Sequence, residues 1–213
     1  MSDDQPDWPA YYAVTVGRPA WRTTIAAADA FARDDGASPA VTPSRSAVDL
    51  GCGAGRDTRE LLRRGWRVLA IDREPTAIEA LRAATPPDDL ARLSTLVADL
   101  ATVDIPAADL VNASISLPFL DAPAFHATLA RAIAAVRPGG RFATMLFGDR
   151  DGSAREPGMT CPSPDTVRAA LAGLTIEDWV DREEDGQTAL GEPHHWHSIE
   201  VVARRDAGSR STP

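Results

Sequence analysis

Positive charge is in short supply in this chain: 22 Lys and Arg stand against 31 Asp and Glu, a formal net charge of -9. Binding to a phosphate backbone is driven by cations that displace counterions, so nucleic acid is not an expected partner, and neither is an anionic membrane surface. Cysteine is almost absent. Cys52 and Cys161 are too few for a disulfide framework, and Cys52 lies in a glycine loop that a bridge would stiffen, so both are read as free thiols. No run approaches the roughly 20 apolar residues that span a bilayer. The opening "MSDDQPDWPA" is acidic and has no apolar stretch of the kind a secretory signal needs, which points to a cytoplasmic protein. Histidine is also scarce, four in all, three of them in "HHWH".

What is present is 213 residues with 44% apolar content, enough for one substantial core, and a single domain over 1–213 is expected. From Ser46 onward, short β-branched or apolar runs alternate with longer amphipathic ones, the pattern of a βαβ-type open sheet. The strands read as "SAVDL", "WRVLAID", "LSTLVADL", "DLVNASISL" and "RFATMLFG". Between the first three lie helices at "RDTRELLRR", ended by Gly65, and at "PTAIEALRAA", opened by Pro75. "ATVDIPAA" is too short for a long helix. "DAPAFHATLARAIAAV" carries Phe125, Leu129, Ile133 and Val136 at helical spacing, and "RPGG" is read as its stop. After a helix near "SPDTVRAALAG", the runs "LTIEDWVDREED" and "HSIEVVARR" follow one another without a helix between, which predicts an antiparallel hairpin closing the sheet. Before Ser46 the pattern is weaker: aromatics from Trp8 to Phe31, an alanine-rich helical run near "TTIAAADAFARD", and a loop at "DDGASPAVTPSR".

"AVDLGCGAGRDT" places a glycine turn between a strand and a helix start, where free amides and the positive helix end suit an anion. A dinucleotide fingerprint would need G-x-G-x-x-G; here Gly51, Gly53 and Gly55 alternate and Arg56 holds the third glycine's place. Asp49, two residues before the first glycine, opposes a pyrophosphate but favours a ligand with an ammonium or sulfonium. S-adenosylmethionine carries both. Such a ligand calls for an acid at the second strand's end to accept the ribose hydroxyls, where Asp72 stands, and a polar residue near the adenine after the third, where Asp99 stands. Asp72 would serve an NAD ribose equally well.

These motifs, with "VADL" and "VRPGGRFATMLFG", resemble the successive motifs of the class I S-adenosylmethionine-dependent methyltransferases from about Ala47 to Gly148. "YYAVTVGRPAW", "GDRDG", "MTCPSPDTV" and "TALGEPHHWHSIEVVARR" resemble a small-molecule branch related to tellurite-resistance and thiol-methylating enzymes. The resemblance implies an α/β, Rossmann-like, mostly parallel seven-stranded sheet with helices on both faces and an antiparallel last strand. Within the single domain it implies a helical cap over 1–45, a cofactor-binding core over 46–148, an acceptor-side loop, helix and hairpin over 149–205, and a frayed tail over 206–213. By motif position, Gly51, Gly53 and Gly55 line the methionine end with Asp49; Asp72 holds the ribose and Arg73 covers the adenine edge. Asp99 and Leu100 meet the base, and Asn112 and Ser114 face the sulfonium and the acceptor. The chain reads "NASISLPF" where enzymes acting on nucleic-acid or protein nitrogen often carry Asn/Asp-Pro-Pro-aromatic, which argues against a nucleobase amine.

Methyl transfer from a sulfonium is an in-line displacement whose leaving group takes no proton, so catalysis rests largely on alignment. A hydroxyl or amine acceptor gains from a general base; a thiolate or metalloid oxyanion does not need one. His195 and His197 share one face of the last strand, either as base or anion contact or as edge packing with Trp196. Tyr12, beside Tyr11, either offers a ring face to the sulfonium or staples the N-terminal segment to the core, and Arg18 is the candidate partner of the donor carboxylate. Asp149 and Asp151 either border the acceptor or are solvated, and Met145 and Phe147 read as sheet core. No metal site is expected, since His195 and His197 have no evident third ligand. The leading expectation is methyl transfer to a small-molecule acceptor by a monomer or homodimer, leaving S-adenosylhomocysteine. The alternatives are a protein that uses or senses S-adenosylmethionine without methylating, and an NAD-dependent oxidoreductase.

Overall fold

The alternation of apolar and amphipathic runs resolves into one sheet flanked by helices in the computed structural model, which describes residues 8–15, 17–36 and 44–208. Most of "DDGASPAVTPSR", nearly all of the acidic opening and the end of the tail lie outside the described residues. The strands are β1 (Ser46–Leu50), β2 (Arg67–Asp72), β3 (Leu93–Val97), β4 (Ala108–Ser114), β5 (Val136–Phe147), β6 (Thr175–Gln187) and β7 (Pro193–Arg204). The helices are α1 (Trp8–Thr15), α2 (Arg22–Asp35), α3 (Arg56–Arg63), α4 (Pro75–Ala84), α5 (Pro87–Leu90), α6 (Ala122–Ala134) and α7 (Pro164–Ala170).

The strand order is β3-β2-β1-β4-β5-β7-β6. Strands β1 to β5 pair in parallel, and β7 runs antiparallel to both β5 and β6, as the hairpin reading predicts. Alternate side chains divide the core into two layers. Ala47, Ala70, Leu110, Ala143 and Val202 pack against Ala27 and Phe31 of α2 and Leu61 and Leu62 of α3. Val48, Leu50, Val111, Phe142 and Ile199 face the other way, onto Phe125 and Leu129 of α6 and Val167 of α7. The order reverses between β1 and β4, and in an open α/β sheet that switch point opens the ligand crevice at the strands' carboxyl ends.

Two local readings are corrected. The segment "RPGG" does not stop α6, which ends at Ala134 with Ala135 as its cap; it lies inside β5, where the β4 register shifts between Ala108 and Leu110. Strand β3 ends at Val97, so Asp99 lies on the following turn, its Oδ1 accepting the Ala101 amide at 2.9 Å. Of the N-terminal aromatics, Trp8, Tyr11 and Tyr12 lie on a helix, α1, which no local periodicity announces. The β6–β7 hairpin outruns the sheet: β5 pairing stops at Phe147 with Ser198, while His197 to Pro193 pair only with Glu183 to Gln187.

Candidate active site

The glycine loop turns sharply because β1 must hand over to α3 beside two neighbours. Gly51 has φ +71°, and a Cβ there would come within 2.2 Å of the Ser116 Cβ; Gly55 has φ +83°, and its Cβ would meet Leu81 at 2.2 Å. No L side chain fits either position without moving the wall. The amides of Gly51 and Cys52 donate to the Ile71 carbonyl at 2.8 and 3.1 Å, and the Gly53 amide donates to Asp72 Oδ2 at 2.8 Å. The anion-binding capacity therefore moves to the first turn of α3, whose amides lack intrahelical partners and whose Arg56 and Asp57 line the same cleft.

Arg56 explains the missing third glycine. Its guanidinium donates to the Pro19 carbonyl, with Nε at 2.7 Å, and lies 4.0 Å over the Trp21 ring. It pins the loop between α1 and α2, a task no glycine performs.

Beneath the loop lies a buried polar set. Asp49, 2% exposed, accepts Thr58 Oγ1 at 2.6 Å and Asn112 Nδ2 at 2.9 Å. The same Asn112 amide reaches Asp57 Oδ2 at 3.1 Å, Thr24 Oγ1 donates to Asn112 Oδ1, and Asp57 accepts the Trp21 amide at 2.7 Å. Burial, and next the nearby Asp57 carboxylate, push the Asp49 carboxyl up to about 7. Asn112 is fully buried and does not line the cleft; it holds Asp49 and Asp57 instead of facing a ligand, which corrects its expected place.

The cleft has a volume of about 690 Å³. It brings together Arg18, Asp49, Gly51, Gly53, Gly55, Asp72, Arg73, Asp99, Leu100 and Ser114 of the expected cofactor residues, together with Tyr12. Asp72 accepts the Glu74 amide at 2.9 Å as well as that of Gly53, and each carboxylate oxygen keeps a second lone pair for a hydroxyl. The Tyr12 ring seats over Gly53, where a Cβ would stand 3.2 Å from its Cε1. Burial foremost, then the Asp72 and Glu74 carboxylates, raise the Tyr12 phenol, so it stays neutral and is no base at pH 7.

His195 and His197 fall outside this cleft. They lie on the β7 face opposite Trp196, Ser198 and Glu200, the residues of that strand that line it. His195 is half-buried and bonds Asp185 at 2.6 Å and Glu183 at 3.1 Å, and these carboxylates, Asp185 first, raise its pKa. His197 is fully buried, accepts the Arg150 amide at 3.0 Å and meets Asp181 at 2.9 Å. Asp151, neither solvated nor at the cleft, accepts the His197 and Ser153 amides and meets His194 Nε2. Met145 and Phe147, read as core, line the cleft, as do Ser116 and Phe119. Alternation along β5 and β7 tells which residues share a face; which face fronts the cleft depends on sheet order. Ile115, in the bend just after β4, holds φ +53°, an uncommon value for a β-branched residue, with its amide on the Met145 carbonyl at 2.8 Å.

The sheet order, with strands β1 to β5 parallel and β7 antiparallel beside them, is that of a Rossmann-like α/β fold. Residues 47–140 match the model of a family described as a methyltransferase domain. It is 38% identical over 76 residues to the magnesium-protoporphyrin O-methyltransferase of Rhodobacter capsulatus, a match covering 36% of this chain and 34% of that protein. It is 31% identical over 111 residues to the carboxy-S-adenosyl-L-methionine synthase of Vibrio campbellii, covering 47% of this chain and 43% of that protein. The chain thus matches between a third and a half of the length of these curated relatives. Among solved structures, TehB from Haemophilus influenzae superposes with a TM-score of 0.73 at 14% identity, covering 92% of this chain and 66% of that one. The antiparallel last strand and the helices on both faces agree with that fold.

Proposed function

We propose that this chain transfers a methyl group from S-adenosylmethionine to a small-molecule acceptor. The observation that carries this reading is the convergence of Asp49, Asp72 and Asp99 with the glycine loop in one cleft at the sheet's switch point. The residues fit the cofactor. Bare glycines leave room against Ser116 and Tyr12, Asp72 keeps free lone pairs toward ribose hydroxyls, and Arg18 lines the end where the methionine carboxylate would lie. Arg73, Asp99 and Leu100 flank the adenine side, and Ser114 marks the boundary with the acceptor. Bound S-adenosylmethionine supplies an electrophilic methyl group on a sulfonium whose thioether departs without a proton.

The chain's own work is alignment and water exclusion. Tyr12 covers the loop as a neutral ring, and Asp49, anchored by Thr58 and Asn112, is a carboxyl that a cationic donor draws into its ionised form. The proton of an amine or phenol acceptor has the cleft-lining carboxylate of Glu184 to receive it. Neither His195 nor His197 enters this account.

The test is formation of S-adenosylhomocysteine with a panel of phenols, amines, thiols and metalloid oxyanions, read by mass spectrometry. One methylated product per S-adenosylhomocysteine supports the reading. Consumption of S-adenosylmethionine to another derivative would favour a non-methylating use, the second reading, which the similarity to a carboxy-S-adenosyl-L-methionine synthase keeps in view.

A further inference from the structure

The acceptor half of the cleft has a chemical character of its own. Four cleft-lining rings form a continuous chain across it: Trp8 meets Phe119 edge-on at 4.9 Å, Phe119 meets Phe147 at 6.2 Å, and Phe147 meets Trp196 at 5.7 Å. These rings come from α1, the turn after β4, β5 and β7, so the wall is assembled from four separate parts of the sequence. The hairpin that outruns the sheet closes it, with Gln187 to Leu190 and Glu192 lining the same space. Gly186 gives the Trp196 indole its room, since a Cβ there would stand 3.3 Å from the ring.

The charges beside this wall are mostly negative. Glu184 lies directly across from Trp196 in the β6–β7 register, and Glu192 and Glu200 line the cleft with it, against Arg182 on the same side. Arg22 pairs with Glu200 and with Asp178, so the Glu200 charge is compensated and Glu184 and Glu192 carry the negative character against Arg182. Linked aromatic faces attract flat rings and apolar cations, and adjacent carboxylates repel anions.

We infer that the acceptor side of this cleft takes a flat aromatic molecule of neutral or positive charge, a phenol or aromatic amine in preference to a carboxylate or a metalloid oxyanion. The inference rests on the proposed methyl-transfer reading. It adds the acceptor's shape and charge, and assigns Trp196 and Glu184 as specificity-determining residues.

The experiment is a calorimetric titration of the full chain, first with S-adenosylhomocysteine, then of the loaded protein with four probes: tyramine, 4-ethylphenol, 4-hydroxyphenylacetate and selenite. The first three share one ring and differ in charge. Tyramine and 4-ethylphenol should bind at least tenfold more tightly than 4-hydroxyphenylacetate and selenite. Glu184→Arg, at an exposed position, should narrow or reverse the preference between tyramine and 4-hydroxyphenylacetate without changing S-adenosylhomocysteine affinity, and Trp196→Leu should weaken both favoured probes tenfold or more. Equal or tighter binding of the two anions, or no aromatic binding by a protein that holds S-adenosylhomocysteine, would overturn the inference. Failure to bind S-adenosylhomocysteine would instead overturn the methyl-transfer reading beneath it.

Discussion

Asp49 and Asp72 are two acids of one cleft with different physics. Asp72 ends β2, where two backbone amides hold its carboxylate in place. Asp72→Ala should weaken S-adenosylmethionine binding by roughly 1–3 kcal/mol, the usual loss for hydrogen bonds to a charged group, and calorimetry on the folded variant checks it. Asp49 lies deeper. Its folded pKa of about 7 is above the roughly 3.9 of an unfolded chain, so between those values the folded protein holds a proton that the unfolded chain has lost. Its contribution to stability therefore falls as pH rises from about 4 to about 7. A cationic ligand favours the ionised form, so binding of S-adenosylmethionine should release protons near pH 7. Titrations in buffers of different ionisation enthalpy read that release, which Asp49→Asn should abolish. The histidines make the opposite case. His195→Ala should leave turnover unchanged, because the side chain sits on the far face of β7 among Asp185 and Glu183. A tenfold fall in kcat for that variant would restore it to the site.

At the scale of elements, the β6–β7 hairpin closes one side of the cleft beyond the end of β5. Replacing its tip, residues 188–192, with an Asn-Gly turn should keep S-adenosylhomocysteine affinity and abolish methyl transfer, a split that binding and rate measurements separate. The hairpin was legible in the sequence because two strand-like runs follow one another around Gly186 and Gly191. Its reach beyond the sheet was not, since register depends on where β5 ends. Strand β1, the glycine loop and α4 were legible to within a residue or two, because local patterns fix them: apolar run, positive-φ glycines, Pro75 at the first turn. The α1 helix was illegible for the converse reason. Its residues are held by ring contacts from Trp8 to Phe119 and from Tyr12 to the glycine loop, which no local periodicity encodes. The aromatic wall was hidden in the same way, because Trp8, Phe119, Phe147 and Trp196 meet only once the sheet order is set.

Across the whole molecule, the seven-stranded sheet brings an acidic, glycine-lined crevice to its switch point and an aromatic wall to the side of its antiparallel edge. Among the described residues no helix is long and apolar enough to cross a membrane. The net charge of -9 accords with a small acceptor better than with a polymeric anion. Everything in this account depends on what the glycine loop holds, and Arg56 and Asp49 both argue against a pyrophosphate. The most direct measurement is therefore a calorimetric titration of the purified chain with S-adenosylhomocysteine beside NADH and NADPH. The account predicts micromolar binding of the first and none of the other two. Binding of a dinucleotide, or no binding of S-adenosylhomocysteine by the folded protein, would contradict the roles given to Asp49, Asp72 and Asp99 together.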